Sequence, residues 1–175
     1  MKKTNSLRNL PSNTFLFIDS NIFIYFLTDD PIYSESCKEL LERVEEGDLV
    51  GFINNIVITE TLFAYIKSEV VSRFGVPLKN FGLFAKKNQD TIKEIDISLP
   101  LSIFSIKGLN LINLPFQYLT ANLSKTHQKG LLPHDAYHLI SLWYIGIAHI
   151  ATNDSDFQEI GGIQVWQPEP FIGQP

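Results

Sequence analysis

Residues 131–157 read LLPHDAYHLISLWYIGIAHIATNDSDF, and the punctuation of that stretch decides the fold. Pro133 suits the start of a helix and Gly146 its end, and almost every residue between them after Asp135 is apolar, as in a helix covered on most sides. AHIAT, 148–152, follows as a short continuous apolar run, the pattern of a strand buried on both faces. It stops at two carboxylates, Asp154 and Asp156, after which SDFQEI reads as a short helix and IQVW as a last strand.

The same ending occurs near the other end of the chain. FLFI, 15–18, is a buried strand that stops at Asp19. In DDPIYSESCKELLERVEEGD, Asp30 can cap a helix, Pro31 suits its first position and Gly47 its end. LVGFIN, 49–54, is a second strand, and Asn54 or Asn55 can cap a long helix towards Phe74 and Gly75. Between 76 and 115 the pattern predicts short helices near FGLFAKK and SIFSIKG and a strand at LINL, before a helix from Phe116 to about Lys129 that stops at Gly130. Short apolar strands alternating with helices predict one α/β domain, 14–175, with a mainly parallel central sheet flanked by helices on both faces. Residues 1–13 lack periodicity and are expected to form a loose, flexible arm. In such sheets ligands bind beyond the carboxyl ends of the strands, where the topology switches direction, and Asp19 and Asp154 both hold that kind of position.

Composition sets bounds. The chain has 175 residues, 45% hydrophobic and 19% charged, which is enough for one domain with a real core. A net charge of −5 argues against a general basic coat for nucleic acid and leaves room for a local basic patch or a bound cation. The single cysteine, Cys37, lies in an apolar helical row with Leu40, Leu41 and Val44 and reads as a reduced packing thiol. MKKT is separated from the first apolar run by polar residues, and the longest apolar run is broken by Ser141, Gly146 and His149, so the expectation is a cytoplasmic protein with no export signal and no membrane association. Lys67, Arg73, Lys79, Lys86, Lys87 and Lys93 stand against only Glu69 and Asp90 in their segment, interleaved with Phe74, Phe81 and Phe84. That excess can carry a nucleic-acid backbone, although a solvated helix face over core phenylalanines explains it slightly better.

Two further acids stand out. Glu60 falls about 40° from Ile56 around its helix, at the edge of an apolar row formed with Phe63, Val70 and Phe74. Asp135 opens the apolar helix and points along the row of Leu139, Leu142 and Gly146. Taken singly, a salt bridge to Lys67 explains Glu60 about as well as function does, and a favourable helix dipole explains Asp135 better. Together, Asp19, Glu60, Asp135 and Asp154 sit on segments that an α/β sheet can bring to one edge, and crowded carboxylates must protonate or bind a cation. Mg²⁺ or Mn²⁺ takes oxygen ligands, retains waters and can activate one against a phosphodiester. His134 and His138 read as surface or helix-packing residues, since such cations do not need imidazole.

FLFIDSN, NNIVITETLFAYI and LLPHDAYHLISLWYIGIAHIATNDSDF resemble, in order and spacing, the three sequence blocks of PIN-domain nucleases, among them the toxin ribonucleases of VapBC toxin–antitoxin systems. The resemblance implies that Asp19, Glu60, Asp135 and Asp154 are catalytic and metal-binding, with Asn21, Thr152, Asn153 and Asp156 supporting them. It implies Mg²⁺ or Mn²⁺ as cofactor, RNA as substrate, an antitoxin protein as partner and a homodimer. Asp156 itself reads as a cap for SDFQEI or an acid behind the metal ligands, and Ser20 keeps the hydroxyl of the family's more usual threonine. A haloacid-dehalogenase-like phosphatase would need an acid at Asn21, and a dinucleotide-binding fold a glycine-rich first turn that DSNIFIYF lacks. The competing reading is a PIN-like module that binds RNA or protein without cleaving, which would gain nothing from four crowded acids.

Overall fold

The computed structural model describes residues 5–171, along which strands and helices alternate. The elements are β1 (Asn5–Ser6), β2 (Phe15–Ile18), α1 (Ser20–Leu27), α2 (Ser34–Glu45), β3 (Val50–Asn54), α3 (Asn55–Phe74), α4 (Phe81–Lys87), α5 (Gln89–Lys93), α6 (Ser98–Ile103), β4 (Leu109–Ile112), α7 (Phe116–His127), α8 (Pro133–Ile145), β5 (His149–Ala151) and β6 (Gln164–Gln167). All the strands join one parallel sheet in the order β1-β6-β5-β2-β3-β4. This is the expected α/β architecture.

The apolar run of β2 makes it the centre. Leu16, Phe17 and Ile18 are wholly buried, and withdrawing each such side chain from water contributes about 1.5–3 kcal/mol. β2 pairs with β3 on one side and β5 on the other, with Ile18 opposite Ala151 and Phe17 opposite Phe52. The chain runs outward from β2 to β3 and β4, then returns through α7 and α8 to the other side of β2. The sheet therefore switches direction at β2, and the residues just past β2 and β5 face each other across the switch. α8 is buried through Ala136, His138, Leu139, Ile140, Ser141 and Leu142 and ends at Gly146 in the left-handed conformation (φ 72°).

Several expectations shift by a few residues for identifiable reasons. Asp30 Oδ1 accepts from the amides of Ile32 and Tyr33 and so caps a turn, and helix α2 starts only at Ser34. The strand expected at LINL, 111–114, is present but runs Leu109–Ile112, two residues earlier, because Gly108, at φ +88°, turns the chain into the sheet sooner. A side chain at Gly108 would also collide with the carbonyl oxygen of Val44. The loose arm is corrected from residue 5 onward: β1 pairs with β6, and Leu7 and Leu10 are buried in the core. Residues 1–4 of that arm and the last four of the expected domain lie outside the described residues.

The row expected for α3 is also corrected. Its buried residues are Val57, Thr61, Tyr65 and Val70, while Phe63 and Phe74 are exposed and lie against Phe81 and Phe84 of α4. In the basic segment Arg73 pairs with Glu69 and Lys93 with Asp90. Cys37 is wholly buried and its thiol is pushed up to about 12 by burial, which suits packing and not nucleophilic chemistry. No helix among the described residues is long and apolar enough to cross a membrane.

Candidate active site

Asp19 is the first residue past β2 and the N-cap of α1. It is 5% exposed and accepts a dense set of donors. Oδ1 takes the Ser20 amide at 2.6 Å and the Ser20 hydroxyl at 3.3 Å, and Oδ2 takes Asn21 Nδ2 and Thr152 Oγ1, each at 2.6 Å. Burial raises its pKa, with the Glu60 charge adding to the effect, while His138 and the Thr152 and Ser20 donors oppose it. The donors supply the hydrogen bonds that a buried carboxylate needs to stay charged.

Thr152, the first residue past β5, ties the two strand ends together. Its hydroxyl donates to Asp19 and accepts from Asn21 Nδ2 at 2.9 Å and from the Asp154 amide at 2.9 Å. Asn21 Oδ1 in turn accepts the Asn153 amide, and Asn153 Nδ2 donates to the Tyr25 hydroxyl. The expected supporting positions Asn21, Thr152 and Asn153 thus form one network that orients Asp19 and the turn carrying Asp154. The cap of the following 3-10 turn is Asp154 and not Asp156: Asp154 Oδ1 accepts the Asp156 amide at 2.8 Å.

Glu60 and Asp135 arrive from the two helices. The side chain of Glu60 is 26% exposed and lies beside both histidines of the α8 entry, with His134 Nδ1 at 2.5 Å from Oε1 and His138 Nε2 at 3.5 Å from Oε2. Lys67, the ordinary salt-bridge partner, takes no part in these contacts. Burial pushes the Glu60 pKa up, but hydrogen bonds from His138, Ser20 and His134 outweigh it and the net direction is down. Asp135 shows the opposite balance. It is pushed up to about 6 by burial and then by the charge of Asp154, with Asp19 and Asp156 adding and His138 opposing.

The acids fall into two adjoining groups, each with its ligand atoms within 4.8 Å of one another: Asp19, Glu60 and His138, and Asp135, Asp154 and Asp156. Asp135 bridges them, since it feels both Asp154 and Asp19. The carboxylates of Asp19, Glu60, Asp135 and Asp154 therefore share one edge, with Asp156 closer to them than a plain cap would be. His138 reads in the sequence as a surface or helix-packing residue. It is only 1% exposed and lies 3.7 Å from Asp19 Oδ1, so it packs within its helix as expected but also faces two acids. The signal that could have found it is its spacing: three residues after Asp135, it lies on the same helical face.

This donor set fits a hard divalent cation. Carboxylate oxygens dominate it, and the upward shift of Asp135 marks an excess of negative charge that a cation would relieve.

Comparison with known proteins agrees with the geometry. The family model described as PIN domain matches residues 16–163. A protein of Methanocaldococcus jannaschii named Ribonuclease VapC2 is 30% identical over 150 residues, covering 86% of this chain and 91% of its own. Ribonuclease VapC6 of the same organism is 28% identical over 159 residues, covering 89% of this chain and 97% of its own. Among solved structures, VapBC2 from Rickettsia felis bound to a promoter DNA fragment superposes with a TM-score of 0.53 at 18% identity, covering 89% of this chain and 99% of that one, a likeness of fold.

Proposed function

The chain belongs to the PIN-domain family, and from that premise we propose that it is a ribonuclease that hydrolyses RNA phosphodiester bonds at the edge formed by Asp19, Glu60, Asp135 and Asp154, with Mg²⁺ or Mn²⁺ as cofactor. The observation that carries the reading is the crowding of these acids, which lifts Asp135 to about 6. A module that only bound RNA or protein would carry that cost without return.

Asp19, Asp135 and Asp154 would hold the cation, with Glu60 completing the oxygen set. The bound ion supplies Lewis acidity towards the phosphate and lowers the pKa of water. The chain's residues do the rest. Ser20, Asn21 and Thr152 hold Asp19 in one orientation, and Asp154 is aimed by its own turn. Asp135, pushed up by burial and by the Asp154 charge, is the carboxylate whose ionised form a cation would stabilise most, and it would be held charged and in place as a ligand. Asp156 lies at the outer side of the Asp135–Asp154 group and supports it.

The relatives named VapC and the fold shared with a VapBC complex support a partner as well. We place the protein as the toxin of a toxin–antitoxin pair, acting as a homodimer in the cytoplasm. Co-purification with a small DNA-binding protein encoded next to it would support the pair, and light scattering that gave monomer at high concentration would remove the dimer.

The deciding experiment incubates the protein with mixed single-stranded RNAs in Mg²⁺, in Mn²⁺ and in EDTA. Cleavage that needs the metal and leaves 5′-phosphate and 3′-hydroxyl ends is expected. Cleavage that persists in EDTA, or a 2′,3′-cyclic phosphate end, would show the mechanism to be wrong, and no cleavage of any RNA or DNA would favour the silent binding module.

A further inference from the structure

We propose that Asn54 and His138 form a tautomer lock that keeps the imidazole lone pair out of the acid cluster, so that the site offers oxygen ligands alone and prefers hard divalent cations to those that favour nitrogen. The inference rests on the metal-dependent reading of the site, and goes beyond it by assigning the origin of ion selectivity.

By position alone His138 looks like a ligand. Its ring sits with Asp19 and Glu60, all with ligand atoms within 4.8 Å of one another, a set of two carboxylates and one imidazole. Such a set would take zinc in preference to magnesium or manganese, because intrinsic affinity rises strongly along the divalent series and imidazole favours its later members. The hydrogen bonds around the ring argue otherwise.

The argument begins at the N-cap of α3. Asn54 Oδ1 accepts the amides of Ile56 at 3.0 Å and Val57 at 3.1 Å, and this fixes which end of the side-chain amide is oxygen. Nδ2 therefore faces inward, 2.9 Å from Ser141 Oγ and 3.1 Å from His138 Nδ1. An amide nitrogen has two hydrogens to give and accepts nothing. Ser141 spends its own hydrogen on the Tyr137 carbonyl at 2.8 Å, so it takes one from Asn54. The other goes to His138 Nδ1, which must accept. The ring proton is then on Nε2, the atom 3.5 Å from Glu60 and 3.7 Å from Asp19.

A protonated Nε2 has no lone pair for a metal. It instead points a donor between two carboxylates, which orients them without binding the ion. The ring cannot easily turn over to present its other edge, since it is 1% exposed and packed against Phe17 at 5.2 Å between ring centres. Asn54 is buried to the same degree, and all its side-chain hydrogen-bonding groups are engaged. His138 is thus a positioning residue for Asp19 and Glu60.

The test uses the full chain. Long-range proton–nitrogen correlation spectra of the ¹⁵N-labelled protein in EDTA report which ring nitrogen carries hydrogen, and His138→Gln identifies the signals. The expected pattern is Nδ1 unprotonated and Nε2 protonated. A proton on Nδ1 overturns the lock, whatever the metal behaviour. The second arm is Asn54→Asp, which keeps the cap oxygen and replaces the inward donor with an acceptor. That change should move the ring proton to Nδ1, free Nε2, and raise the ratio of Zn²⁺ to Mn²⁺ affinity at least tenfold by calorimetry. His138→Gln, which keeps an N–H near the same place, should retain the parental ratio. An unchanged ratio in Asn54→Asp with the tautomer moved overturns the selectivity. A parent that shows the Nε2–H form yet binds neither ion overturns the metal-dependent reading and the selectivity with it, while leaving the tautomer assignment in place.

Discussion

Asp135→Asn should make the metal-free protein more stable at neutral pH. The carboxyl of Asp135 rises from 3.8 to about 6 on folding, through burial and then Asp154. A folded-state pKa above the unfolded one means that ionised Asp135 opposes folding at neutral pH, and that this opposition is relieved as pH falls through 6 towards 3.8. The shift corresponds to about 3 kcal/mol at most, and solvent screening at a half-buried group reduces it to about 1–2 kcal/mol. The amide keeps the shape and removes the charge. For a domain of this size about 1 kcal/mol moves Tm by 2–4 °C, so the variant should melt about 2–8 °C above the parent at pH 7 in EDTA. The gap should shrink to roughly half by pH 5 and about a fifth by pH 4, and close only below 3.8, where the parent carboxyl is protonated in both states. Scanning calorimetry across that range measures it. Adding Mn²⁺ should raise the parent's Tm more than the variant's. A variant no more stable than its parent at pH 7, or a gap that ignores pH, would refute the crowding argument.

Other substitutions separate the parts of the site and fold. Asp154→Asn should cut RNA cleavage by about 100-fold or more, while Asp156→Asn, at the outer side of the same group, should cost about tenfold, as supporting groups do; initial rates under identical metal concentration decide the order. Thr152→Val removes the 2.6 Å donor to buried Asp19 and should lower stability by about 1–3 kcal/mol, seen as a lower urea midpoint with an unchanged slope. Gly108→Ala meets both a positive φ and the Val44 carbonyl, and should cost about 3 kcal/mol or more; Gly47→Ala, with φ +82° and nothing within 4 Å, should cost about 1–2 kcal/mol, and equal losses in the two would show that the close approach at Gly108 is unimportant.

Where sequence was legible, one physical signal dominated. FLFI and AHIA are short and wholly apolar, and only a two-sided parallel sheet accommodates such runs. The acids that follow them were legible for the same reason, because charge directly after a buried strand has few places to go. Asn54 as a cap, and Gly146 as a helix end, rest on local backbone chemistry that sequence carries directly. What stayed hidden depends on contacts distant in sequence. β1 owes its existence to β6, so no local periodicity announced it. The buried face of α3 is set by what packs on it, and two phenylalanines on its outer side met α4 instead. His138 was hidden by its ordinary role as an apolar-face histidine, and only the direction of Asn54's amide distinguishes a donor from a ligand.

The pairing order of the sheet bears on how the protein is made. Asp19 and the Thr152 hydroxyl that holds it are 133 residues apart, and β2 obtains its second neighbour only when β5 has been synthesised. Emerging from a ribosome, the amino-terminal portion exposes Asp19 with Asp135 and Asp154 still untranslated. Parallel pairings of this separation form late, since the chain between them must first close. An unfinished polypeptide therefore cannot bring Asp19, Asp135 and Asp154 together, and one broken off before Asp154 never can. The order of the strands confines the assembled acid cluster to finished molecules.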